Sequence, residues 1–194
     1  MIDKGFVFQP GDVILFKHSE KGLFRKIKEW LLESPWGHVS IFWGIATPTA
    51  DELIMPWEVK DDKLIPLQVE AIGRGTLKTD LRNESGRYLK VLRHPSAGIA
   101  RNAVLKAGVF ARQGKRWYDY WCIIRYVLPF LITRRLFGIE CGFGYQHNDK
   151  FICSEQVDAD FRYTLFDDNR RFPTLPGDYE FTTLKPVTEG IFLP

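Results

Sequence analysis

The chain has 194 residues, 45% of them hydrophobic and 26% charged, which is enough apolar material for one sizeable core and too much for a disordered segment. A net charge of +3 is too small to imply a nucleic-acid partner, and three cysteines, odd in number and irregularly spaced, suit reduced thiols better than a disulfide framework. Residues 1–10 lack the basic start and apolar run of a signal peptide and no stretch of about 18 uncharged apolar residues occurs, so the expectation is one cytoplasmic domain over residues 1–194.

After the turn Pro10-Gly11-Asp12, Val13 to Lys17 reads as a first strand. Leu23, Phe24, Ile27, Trp30 and Leu31 mark one face of a helix, with Lys21, Arg25, Lys26 and Lys28 around the other; such a helix either packs on a core or lies on a membrane surface. The turn Ser34-Pro35-Trp36-Gly37 runs into an alternating strand on which His38, Ser40 and Phe42 share one face and Val39, Ile41 and Trp43 the other. His38 stands at the strand's first residues, where a ring is either satisfied by nearby backbone or reaches the start of a helix packed on the sheet. Thr47 to Lys63, with Pro48 and Pro56, reads as an exposed connection that helps form a cleft. Leu67 to Gly73 is a further strand carrying Glu70, a carboxylate that is solvated if its face is open and needs a partner such as an imidazole N–H if it is buried.

Tyr88 to Arg93 alternates as a strand, and Pro95-Ser96 followed by Ala100, Val104, Ala107 and Phe110 predicts a helix ending near Gly114. Trp117-Tyr118-Asp119-Tyr120 follows, with Tyr118 read as an aromatic anchor in the core. Between Arg101 and Arg135 stand eight basic residues and one acidic one, Asp119, interleaved with the apolar run Tyr126 to Ile132. Arg125 and Pro129 break this stretch too early for a spanning helix, so it caps the cleft, folds into the core or makes a peripheral membrane contact. Cys122, within the aromatic run, reads as buried and inert. Cys141, His147 and Cys153 are evenly spaced but contain no Cys-x-x-Cys pair, so no metal centre is expected.

Cys153 opens a helix. Ile152, Val157 and Phe161 recur at helical spacing after the polar stretch Gln146 to Lys150, which places the thiol in the first turn. There the unpaired N–H groups and the positive end of the helix dipole lower a thiol below its free pKa of about 8.5, and the thiolate is the nucleophile. Beyond Phe161 the chain is loop-like, with Tyr179 to Leu184 expected as an edge strand before an extended tail.

Pro10-Gly11-Asp12-Val13-Ile14-Leu15-Phe16, Gly37-His38-Val39-Ser40-Ile41, Val69-Glu70-Ala71 and Ile152-Cys153-Ser154-Glu155, in that order, resemble the circularly permuted NlpC-type cysteine hydrolases. These are the YiiX/YebB-like members of the papain-like superfamily, related to lecithin:retinol acyltransferases, in which histidine and its polar partner precede the cysteine. The resemblance spans most of residues 8 to 161. It implies an α+β fold, a central antiparallel sheet carrying His38 and Glu70 and a helix presenting Cys153 to its edge. It assigns the nucleophile to Cys153, the base to His38 and the orienting residue to Glu70, and makes Tyr118 a candidate for lining the site or donating to an oxyanion. The chemistry implied is acyl transfer to water or another acceptor, needing no cofactor or metal. The substrate that the resemblance implies is an amide in a peptide of cell-wall type; the alternatives are a membrane-docked lipid acyl hydrolase or acyltransferase, or an inactive binding module on the same scaffold. Two features depart from the family pattern: Gln156 stands where a leucine is expected, and the apolar, basic insertion over residues 118–139 is longer than the family needs.

Overall fold

The computed structural model describes residues 1–2, 5–19, 22–46, 65–72, 75–113, 120–139, 152–161, 165–166 and 174–194. Its centre is a six-stranded antiparallel sheet with helices on one side, an α+β fold. The strands are β1 (Val13–Lys17), β2 (Trp36–Ala46), β3 (Ile65–Ile72), β4 (Gly75–Asp80), β5 (Tyr88–Arg93) and β6 (Lys185–Ile191), in the spatial order β4-β3-β2-β1-β5-β6. The helices are α1 (Leu23–Leu32), α2 (Ala97–Gln113), α3 (Tyr120–Cys122), α4 (Leu128–Phe137) and α5 (Cys153–Asp160).

The uninterrupted apolar run of β1 is the signature of a strand covered on both faces, and both faces are covered. Val13 and Leu15 join Val39, Ile41, Val69 and Leu92 beneath α2 and α5, against Ala103, Ala107, Val157 and Phe161. Ile14 and Phe16 join Phe42, Leu89, Val91 and Phe192 on the other face, closed by Phe6 and Phe8 from the N-terminal segment. The turn before β1 is fitted to α2. Gly11 has φ +94°, and a Cβ there would stand 2.7 Å from the Cβ of Ala100. Beside it the buried Asp12 carboxylate accepts from Arg93 Nε at 2.7 Å and Nη2 at 2.8 Å, tying the turn to the end of β5.

One expectation is corrected, and two elements are more specific than the sequence pattern. The segment Gly75–Asp80 is a full strand that the pattern did not announce, because a hairpin buried on both faces loses its alternation. Tyr179 to Leu184 is not an edge strand: Pro176–Phe181 is a 3₁₀ turn whose first N–H groups are capped when Leu175 N–H donates to Asp178, and the edge strand is the β6 segment after it. The insertion is an interrupted helix in which α3 passes through a π-turn (Ile123–Val127) into α4. Pro129 has no N–H to give an earlier carbonyl and sits just past that turn, within the first residues of α4. Phe130 and Leu131 of α4 are buried with Val127 against Leu31, Leu32, Ile152 and Leu175. Among the described residues no helix is long and apolar enough to cross a membrane. Thr47 to Lys63 lies outside the described residues.

Candidate active site

Cys153 is the first residue of α5 and is 6% exposed. The helix start is held from several sides. Glu155 accepts from the Ile152 N–H at 3.1 Å, closing the first turn on itself. The Ser154 hydroxyl donates to the Thr174 carbonyl, and the Tyr179 hydroxyl donates to the Ser154 carbonyl, both at 2.5 Å. Burial first, then the carboxylates around it, hold the Tyr179 phenol protonated well above its usual range, so it stays a donor.

The thiol meets the sheet where the pairing of β2 and β3 ends. β2 and β3 pair only as far as Ile41 opposite Val69, and beyond that point the two strands part. The start of α5 lies against β2 there, and the Cys153 sulfur accepts from the Val39 N–H of β2 and from the N–H of Ser154 in its own first turn. His38 and Glu70 flank the gap from the two strands. His38 Nε2 donates to Glu70 Oε2 at 2.5 Å, and Glu70 Oε1 accepts from the Thr79 hydroxyl of β4 at 2.6 Å. With Nε2 so engaged, Nδ1 is the nitrogen left for the hydrogen bond between His38 and the Cys153 side chain. The imidazole also lies over Phe16, its cross-strand partner, with ring centroids 5.8 Å apart.

The charges follow from this chain of contacts. Burial works against a charged imidazole, but the Cys153 thiolate outweighs it, followed by Glu70, and His38 is pushed up to about 10. Burial likewise opposes the thiolate, yet the His38 cation and the Val39 and Ser154 N–H groups hold Cys153 below the usual thiol range. Burial would raise Glu70, and His38, Thr79 and Arg87 together lower it instead. His38 is therefore charged near neutrality, and Cys153 and Glu70 on either side of it are both drawn toward their anionic forms.

A cavity of about 730 Å³ opens beside the sulfur. Cys153, His38 and Glu70 all line it, between two walls of opposite character. One wall is apolar and comes from the helices: Leu31 and Leu32 of α1, Ile123 and Val127 of the π-turn, Leu128 and Leu131 of α4. The other is polar: His18, Asn83, Glu84 and Arg87, with Arg87 held by Glu84 and by the Lys17 carbonyl.

The structure thus brings together Cys153, His38 and Glu70. Tyr118, Cys141 and His147 lie outside the described residues. Cys122 is buried, its thiol 3.8 Å from Glu155 Oε1, behind the helix start and away from the gap. Gln156, in place of leucine, is buried and donates to Asp160, whose carboxyl is kept well above the usual range by burial. Sequence reasoning missed Thr79, on the strand it did not find, and His18. The one signal for His18 was Gly37: a Cβ there would meet the His18 ring at 2.3 Å, so the glycine makes room for a second imidazole beside His38. Among the described residues no group of three or more His, Cys, Asp and Glu side chains is placed to hold a metal ion.

No family model matches the chain, and no curated protein matches it by sequence. Among solved structures, the crystal structure of the metalloprotein yiiX from Escherichia coli O157:H7, DUF1105, is similar in fold at 15% identity and a TM-score of 0.45, with 93% of this chain and 97% of that one covered.

Proposed function

We propose that the protein is a thiol-dependent acyl hydrolase or acyltransferase acting on a lipid-like acyl group, with Cys153 as nucleophile, His38 as proton carrier and Glu70 as the residue that positions His38. The observation that carries the reading is the hydrogen-bonded series Cys153, His38, Glu70, Thr79 ending at an apolar cavity. In the resting pair the proton is already on His38. The thiolate attacks the carbonyl carbon, the carbonyl oxygen takes up negative charge at the N–H groups of the α5 start, and the C–X bond to the leaving group breaks as His38 gives it the proton. Water or another hydroxyl then attacks the thioacyl carbon, His38 takes its proton, and the thiolate is released. Glu70 keeps Nε2 protonated throughout, and so keeps Nδ1 turned to the sulfur.

The apolar wall, built from six side chains of α1, the π-turn and α4, favours an acyl chain. The polar wall, with Asn83, Glu84 and Arg87, favours a second reading, amide cleavage in a peptide of cell-wall type. Incubation with soluble esters and amides of increasing acyl length, with mass spectrometry of the trapped enzyme, tests both. The lipid reading expects an acyl adduct on the Cys153 peptide, faster turnover with longer chains, and loss of adduct and turnover in Cys153→Ala. Turnover that survives in Cys153→Ala would end the thiol mechanism, and preference for short peptide amides would transfer the substrate to the second reading.

A further inference from the structure

The surface outside the cavity differs from an ordinary polar surface. On α1, Leu23, Ile27 and Trp30 are 71%, 44% and 44% exposed, although their spacing is that of a helix's buried stripe. On the neighbouring rod, Trp121, Ile124 and Ile132 are 71%, 59% and 37% exposed along one side of α3, the π-turn and α4. The two stripes meet where the Arg135 guanidinium lies 5.1 Å from the centre of the Trp30 ring. Single exposed apolar side chains are common, but two adjoining helices each turning an apolar stripe outward are not.

Charge identifies what this face suits. Residues 22–33 and 120–139 hold six Lys and Arg against two Glu, so the chain's net +3 is concentrated on the elements that carry the stripes. The two glutamates do not neutralise it: Arg134 and Arg135 share the single carboxylate of Glu33, and Glu29 pairs with Arg25. Large apolar side chains surrounded by arginine and lysine match an interface with hydrocarbon below and negative headgroups above. A second copy of the chain would bring the same positive charge against itself.

The cavity opens on this face. Lys28 of α1 and Leu128 of α4 line it, and Leu128 is also 40% exposed, so it belongs to both the rim and the outer surface. We infer that α1 and the α3–α4 rod are a docking surface for anionic bilayers, which seats the cavity mouth on the membrane and lets an acyl chain pass to Cys153 without crossing water. This partner rests on the lipid reading of the site, and it narrows the basic stretch Arg101 to Arg135 to its second half joined by α1.

The test is cosedimentation of the full chain with phosphatidylcholine vesicles containing about a third phosphatidylserine, and with phosphatidylcholine alone. Binding is expected to the anionic vesicles at low salt, weaker to the neutral ones, and to fall on the order of tenfold or more between 50 and 500 mM salt. The double variant Trp121→Ser, Ile124→Ser, and separately Lys26→Gln with Arg125→Gln, should each lose most of the binding while hydrolysing a short-chain soluble ester as the wild type does. Cys153→Ala should bind as the wild type. Absence of binding at low salt overturns the docking surface, as does light scattering that shows a dimer which the Trp121, Ile124 variant converts to a monomer. If vesicles bind but no acyl adduct forms on Cys153, the docking surface stands and the proposed chemistry falls, so the two failures are distinguishable.

Discussion

A buried thiol and a buried imidazole shift toward their charged forms only where each charge stabilises the other by more than burial costs it, and the contact of Cys153 with His38, backed by Glu70 and by the Val39 and Ser154 N–H groups, supplies that condition. The consequence is measurable without a substrate. Alkylation by iodoacetamide near pH 6 should label Cys153 roughly tenfold or more faster than Cys122, because the His38 cation holds the Cys153 thiol below the usual thiol range and the cavity opens beside it. His38→Ala should move the pH profile of that reaction upward; Glu70→Gln should move it less, and Thr79→Val less again, since each acts one bond further from the sulfur. A profile unchanged in His38→Ala would detach the thiol from the imidazole. The same pair sets a stability profile. Unfolded, the imidazole titrates near 6.5 and the thiol near 8.5. His38, raised to about 10, contributes stability that is present below about 6.5 and lost as pH climbs through about 10; Cys153, lowered, contributes stability present above about 8.5 and lost as pH falls through its lowered value. Above about 8.5 only His38 still titrates differently in the two states, so the pair's contribution falls as pH climbs toward about 10. Urea unfolding at pH 7.5 and 9.5 should show a fall in the wild type that is smaller in Cys153→Ser, whose hydroxyl does not titrate in that interval.

The rod of α3, the π-turn and α4 does two things because its two sides differ. Inward, Val127 and Leu131 wall the cavity and pack on α1; outward, Trp121 and Ile124 face away from the core. Leu128, on the rim, is the position where bulk can be added without overpacking the interior. Leu128→Trp is therefore expected to shift turnover toward shorter acyl chains while leaving Cys153 alkylation by a small reagent unchanged. Equal loss across all chain lengths would place the acyl chain elsewhere. The turn of Gly11 is a different kind of element, one whose fit to α2 permits no side chain. Gly11→Ala combines a positive φ with a Cβ 2.7 Å from Ala100, and a loss of about 1–3 kcal/mol in unfolding free energy is expected.

Across the molecule, the strands that carry the site are held in order by β1, the strand covered on both faces, and by the ion pair that ties its approach to β5. Asp12 is fully buried and its two oxygens are taken by one guanidinium, so Arg93→Ala leaves a charge in the core. The expected cost is about 3 kcal/mol, read as a lower denaturation midpoint with an unchanged slope. Because the contacts of Arg93 are with Asp12, Val7 and Phe6 and not with Cys153, His38 or Glu70, the folded variant should alkylate Cys153 as the wild type does. A large change in that rate would show that the sheet transmits strain to the gap.

The order His38, Glu70, Cys153 was legible in the chain because each residue sits beside a local signal: a turn running into alternation for His38, apolar neighbours for Glu70, a polar loop before helical spacing for Cys153. The strand and helix bounds around them followed from the same periodicities. What periodicity could not express was burial on both faces, so β4 and its Thr79 went unread, and an exposed edge strand was assigned to the turn before it. Nor could it give distance. That the pairing of β2 and β3 ends at Ile41 and Val69, that Cys153 meets Val39 there, and that His18 comes to rest over Gly37 depend on contacts between segments more than twenty residues apart, or on a close approach that the glycine merely permits. The apolar stripes of α1 and the α3–α4 rod show the limit most clearly. A helical pattern states that one face is apolar, and only the packing of the two helices around a cavity decides that part of that face is turned outward.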